Sequence, residues 1–127
     1  MGKKKEFEGL RFNLTALSAE EPQRLVRFLT GVVQACGGWV VTRGVCGNES
    51  GEIEFEFVRA ACVDIYAALV ATGLDLSREA HLQMTEFCQC TKNLLETRAF
   101  EIVHVELLVY RSGSCPYMEH YDTLSMG

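Results

Sequence analysis

"GEIEFEFVRA", residues 51–60, alternates Glu52, Glu54 and Glu56 with Ile53, Phe55 and Phe57. A period of two belongs to a β-strand with one apolar and one acidic face. The stretch therefore predicts a strand over 52–58, in a sheet covered on one side and open on the other. The rest of the chain can be phased outward from it.

Towards the N-terminus, "GNESG" (47–51) reads as a turn and "WVVTRGVC" (39–46) as a strand rich in β-branched residues, so the two strands form a hairpin. The parity of 39–46 stays open: Trp39, Val41, Arg43 and Val45, or their complement, share the acidic face. Before it, Pro22, Leu25, Val26, Leu29, Val32, Val33 and Cys36 recur at three and four, the stripe of an amphipathic helix closed by Gly37 and Gly38. Ser18 and Glu21 are spaced as a capping box, and Pro22 fits a first helical turn. "LRFNLTAL" (10–17) alternates again and gives the first strand, with Leu10, Phe12, Leu14 and Ala16 on its apolar side.

Towards the C-terminus, a second helix is predicted at about 60–72, with Cys62, Ile65 and Leu69 inward and Gly73 as its stop. Ser77 then caps a further helix carrying Ala80, Met84, Phe87, Cys88, Thr91, Leu94 and Leu95, with a strand over 81–90 as the alternative. His81, in its first turn, reads as a plain surface residue. "FEIVHVELLVYR" (100–111) is the last strand, its apolar side formed by Val103, Val105, Leu107 and Val109. Residues 1–9 read as a flexible N-terminus, 10–111 as a single domain, and 112–127 as a loop or docked arm. The order β-α-β-β-α(α)-β predicts an α+β fold: a ferredoxin-like sandwich with a four-stranded antiparallel sheet, helices on one face, and an extra helix before the last strand.

The totals narrow the function classes. A chain of 127 residues with 48% hydrophobic content and two prolines can bury a core of its own. A formal charge of −5, with Lys3, Lys4 and Lys5 as the one basic run, argues against a nucleic-acid partner. The longest apolar run, "IYAALVA" (65–71), falls far short of the roughly 20 residues that span a bilayer, so no membrane partner is expected. No secretory pattern follows the lysines; a cytoplasmic protein with reduced cysteines is expected.

Motifs with chemistry of their own are sparse. Cys88 and Cys90 in "FCQCTK" (87–92) point nearly opposite ways on a helix and share a face only on a strand, where Cys115 and His120 would have to complete a metal set. "HVE" (104–106) matches the His-x-Glu of zinc deaminases without their Pro-Cys-x-x-Cys. No phosphate-cradling loop and no nucleophile elbow occurs, so no cofactor is expected.

The open face is where a site could lie. By parity it takes Arg11, Asn13 and Thr15 from the first strand, and Glu52, Glu54 and Glu56 from the third. Ile102, His104, Glu106, Leu108 and Tyr110 come from the last. Such a mixture suits three readings: a solvated face with cross-strand pairs, a self-association face, or a metal or acid–base cluster of His104, Glu106 and Glu54 or Glu56. Glu54 and Glu56 are expected beside a basic group such as Arg11 or Arg43.

With that element order, residues 10–111 resemble an ACT domain, a small βαββαβ regulatory module, through "SAEEPQRL" after the first strand and "ACGGWVVTRGV" leading into the second. The resemblance implies a homodimer that binds amino acids, with Ser18, Glu20, Glu21 and Pro22 at the ligand-touching turn and Gln23 where the family has glycine. The expected function is a non-enzymatic regulatory or scaffolding domain that self-associates and takes a small ligand or protein partner. The alternative is a small metal-assisted or acid–base enzyme on the His104/Glu106 face.

Overall fold

The structure, a computed structural model, describes residues 10–112, leaving aside the side chains of 93–97. The N-terminal stretch and the tail, with Cys115 and His120, lie outside the described residues. In chain order the elements are β1 (Arg11–Ser18), α1 (Pro22–Ala35), β2 (Trp39–Cys46) and β3 (Ser50–Val58). A 3-10 turn (Arg59–Ala61) runs into α2 (Cys62–Ala71), followed by a two-residue β4 (Asp75–Leu76), α3 (Arg78–Arg98) and β5 (Ile102–Arg111).

The α+β class is as expected, but the sheet is not. It has five strands in the order β2-β3-β5-β1-β4, and it is mixed: β5 lies between β3 and β1, antiparallel to the first and parallel to the second. The segment 74–98 explains the difference. It supplies β4 as well as a helix, and β4 takes the outer edge of β1. α3 then carries the chain back across the sheet, so β5 enters its centre running with β1 rather than against it. The expected four-stranded antiparallel sheet is thereby corrected. The alternative strand over 81–90 is replaced by helix, capped as the sequence predicts: the Ser77 hydroxyl accepts from the Ala80 N–H at 3.1 Å.

One face of the sheet carries all the helices. Leu14 and Ala16 of β1, Ile53, Phe55 and Phe57 of β3, and Val103, Val105, Leu107 and Val109 of β5 are buried. They join Leu25, Leu29 and Val33 of α1, Ile65 and Leu69 of α2, and Met84 of α3 in one core. Each fully buried large aliphatic or aromatic side chain contributes about 1.5–3 kcal/mol of transfer free energy. The period-two reading of 51–60 thus holds residue for residue.

The helix entry differs in detail. α1 begins at Pro22 with Glu21 as N-cap and no side-chain cap bond, while Ser18 accepts from the Glu20 N–H at 3.1 Å. The capping box is absent because Ser18 still belongs to β1. The exit is as predicted: Gly37 has φ +89°, and the Gly38 N–H donates to Val33 O at 2.9 Å. Gly38 is needed for a second reason, since a Cβ there would stand 2.8 Å from the Glu56 carbonyl oxygen.

β2 holds the device that sets up the open face. Trp39 pairs with Glu56 and Thr42 with Glu54, with a register shift between Val40 and Thr42. Val41 is the extra residue of a β-bulge, and it switches the parity of everything after it. Trp39 and Thr42 therefore both face outward, while Arg43 turns to the helix side and donates to Thr30 Oγ1 of α1 at 3.0 Å. No helix among the described residues is long and apolar enough to cross a membrane.

Candidate functional site

At the centre of the face that none of the described helices covers, β3 and β5 bring Glu56 opposite His104 and Glu54 opposite Glu106, and β1 sets Arg11 opposite His104. The imidazole lies between carboxylates. His104 Nδ1 is 2.9 Å from Glu56 Oε2, and Nε2 is 2.9 Å from Glu54 Oε2 and 3.8 Å from Glu106 Oε2. The His104 side chain is only 13% exposed, against 32% for Glu54 and 44% for Glu106.

Each carboxylate is itself held. Trp39 Nε1–H donates to Glu56 Oε1 at 2.9 Å, Thr42 Oγ1–H to Glu54 Oε1 at 2.6 Å, and Arg11 Nη2–H to Glu106 Oε2 at 3.1 Å. The Thr42 hydroxyl, and then the His104 ring, hold the Glu54 carboxyl below its ordinary range. A ring nitrogen donates to a carboxylate only when it carries a proton. The two short contacts of His104 are therefore satisfied by an imidazolium, or by a ring protonated at Nδ1 with another cation in front of Nε2.

Beside this network lies a concavity of about 290 Å³, lined among others by Asn13, Thr15, Glu52, Glu54, Glu106 and Leu108. It brings a small molecule within reach of three carboxylates and an amide. The arrangement can bind a cationic group, or pass a proton between His104 and its acidic neighbours.

Of the residues singled out in the sequence, the structure gathers Arg11, Glu54, Glu56, His104 and Glu106 into one network and puts Asn13 on its rim. It does not gather the rest. Ser18 pairs with Arg111 and Tyr110 with Leu17, at the far end of the strands. Seven residues of extended chain separate Ser18 from Arg11, about 23 Å, so the turn carrying Ser18, Glu20 and Glu21 is a separate place. Arg43 is on the opposite face. The basic partner expected beside Glu54 and Glu56 is His104, with Arg11 bonded to Glu106.

Thr42 went unassigned in the sequence because the bulge at Val41 leaves no mark in a run of β-branched residues. Arg59 went unassigned too. It is buried, with Nη1 2.8 Å from Glu101 Oε1, Nε 3.0 Å from Thr91 Oγ1, and its guanidinium 4.6 Å from the Phe87 ring centroid. His81 is no plain surface residue: its Nδ1 is 2.7 Å from the Tyr66 hydroxyl. Cys88 and Cys90 diverge on α3 as helical geometry requires. Cys88 is buried with its sulfur 2.9 Å from Cys62, while Cys90 is exposed, 3.5 Å from Arg59 Nη2. No family model matches the chain, and neither a curated protein nor a solved structure is significantly similar to it.

Proposed function

We propose that this chain is a non-enzymatic regulatory or scaffolding domain whose recognition surface is the open sheet face. There it takes a small ligand or protein partner and associates with a second copy of itself. One observation carries the reading: the helix-free face is ordered rather than merely wet. A bonded network of Arg11, Trp39, Thr42, Glu54, Glu56, His104 and Glu106 stands next to a concavity at Leu108, with Ile102 and Tyr110 half-buried on the same strand. Preorganised polar groups flanked by apolar ones are the anatomy of a recognition surface.

An acid-lined concavity of this size favours a molecule with an amino group. The test is twofold: thermal shift of the chain against an amino-acid and amine panel, and light scattering across concentration. A shift lost in Leu108→Asp, or a dimer lost in the same variant, supports the reading. A strict monomer indifferent to the whole panel overturns it.

A second reading, a small acid–base or metal-assisted enzyme on the same face, is favoured by the convergence of Glu54, His104 and Glu106. In it His104 exchanges a proton with Glu54 while substrate occupies the concavity. Turnover abolished by His104→Gln in a folded variant would support it. Turnover that survives that change would remove it.

A further inference from the structure

We propose that Glu54, His104 and Glu106 form a binding site for one divalent transition-metal ion of the zinc class. The inference takes its location from the second reading above but not its catalysis, and metal binding is measured without any turnover. His104 Nε2 and one carboxylate oxygen from each glutamate lie within 4.8 Å of one another. Ligands about 2.0–2.2 Å from a tetrahedral ion stand about 3.3–3.6 Å apart. The observed 2.9 Å to Glu54 and 3.8 Å to Glu106 bracket that separation, so small carboxylate rotations complete the set.

The donor chemistry selects the ion. One imidazole nitrogen with two carboxylate oxygens suits zinc and its first-row neighbours, whereas calcium and magnesium prefer all-oxygen sets. Two anionic ligands also neutralise a dication.

Two further features separate this site from a chance gathering of acids. His104 Nδ1 is 2.9 Å from Glu56, which Trp39 Nε1 holds in turn. In a ring protonated at Nδ1 that contact leaves the Nε2 lone pair for an ion, the outer support common to histidine ligands. Independently, the concavity lined by Glu54, Glu106, Asn13 and Thr15 opens directly onto the cluster. It gives an ion an approach to Glu54 and Glu106, two of the three ligands. Arg11, at 3.1 Å from Glu106, is the one cation in the network that competes for a ligand oxygen.

The experiment is titration calorimetry of the full chain, stripped with chelator, against zinc chloride, with the cobalt(II) absorption spectrum as a second measurement. One equivalent should bind, and affinity should fall at least tenfold in Glu106→Gln and in Glu54→Gln. Glu106→Gln changes a side chain that is 44% exposed, and a far-ultraviolet spectrum with thermal melt checks its folding. Arg11→Ala should bind zinc at least as tightly as the parent chain. Serine variants of Cys88 and Cys90, or of Cys46, should bind unchanged, and the cobalt form should lack thiolate charge-transfer absorption. Absence of stoichiometric binding overturns the proposal, as does binding abolished by the cysteine variants and kept in the folded glutamine variants. A chain that binds zinc but neither dimerises nor responds to amines would leave this site standing and remove the recognition reading.

Discussion

Glu54 has two bonded neighbours, and each should be visible in its titration. Its folded-state pKa lies below the ordinary 4.5, with the Thr42 hydroxyl as first cause. A depressed carboxyl contributes stability that is present above its unfolded pKa and lost as pH falls through the folded one. Thr42→Val should therefore raise the Glu54 pKa and cost stability near neutral pH, with the difference closing as pH falls through the folded-state pKa. Carboxyl-carbon NMR and urea melts at several pH values would show it; a difference that persists undiminished in acid would mean the loss is one of packing. The thiols offer a separate check at this scale. Burial pushes the Cys62 thiol up, whereas Cys46 and Cys90 are exposed. Iodoacetamide should label Cys46 and Cys90 in the native protein and reach Cys62 only after unfolding, as peptide mass mapping would reveal.

At the scale of elements, α1 is the clearest test of packing. Leu29 is fully buried at the centre of its stripe, so Leu29→Ala should cost about 2–5 kcal/mol in denaturant melts. Gly38→Ala should also destabilise, because its new Cβ meets the Glu56 backbone oxygen at 2.8 Å as well as the buried Val33 side chain at 2.9 Å. A Gly38 variant as stable as the parent would show that β2 and β3 can part there without loss. The helices and strands were legible because apolar residues recur at their own periods, and that repetition survives any arrangement of the elements. Their pairing was not. Whether β5 lies beside β1 or β3, parallel or antiparallel, depends on how the segment 74–98 crosses the sheet, and two-residue β4 is too short to show a period. The candidate network was half legible for the same reason: Glu54, Glu56, His104 and Glu106 follow from strand parity, while Thr42 depends on one bulged residue.

At the scale of the whole molecule, Arg59 ties three parts together: the 3-10 turn, α3 through Thr91 and Phe87, and the approach to β5 through Glu101. Removing one partner of a buried pair leaves the other poorly compensated, so Arg59→Ala should cost about 3 kcal/mol, the low end because Glu101 is one-third exposed and keeps Arg98 at 3.6 Å. Chemical melts would measure it, and a loss within error of zero would show that Glu101 and Thr91 turn to solvent freely. Association of two copies carries its own signature. The open face holds Glu52, Glu54, Glu56 and Glu106 against Arg11 and His104, so stacking two such faces sets like charges against each other. Dimerisation there should strengthen as salt rises and the Debye length contracts from about 10 Å at 0.1 M towards 3 Å at 1 M. Dissociation by salt would place the interface elsewhere.

The bulge at Val41 acts as a one-residue frameshift written into a strand. Its two hydrogen-bonding side chains, Trp39 and Thr42, are an odd number of positions apart yet serve the same network. The network therefore accommodates an odd spacing only because one residue is bulged out of the ladder, whatever residue fills position 41. Deleting Val41 would restore strict alternation and leave the indole and the hydroxyl on one face, whereas a further residue inserted there with no second bulge would send one of them to the far side of the sheet.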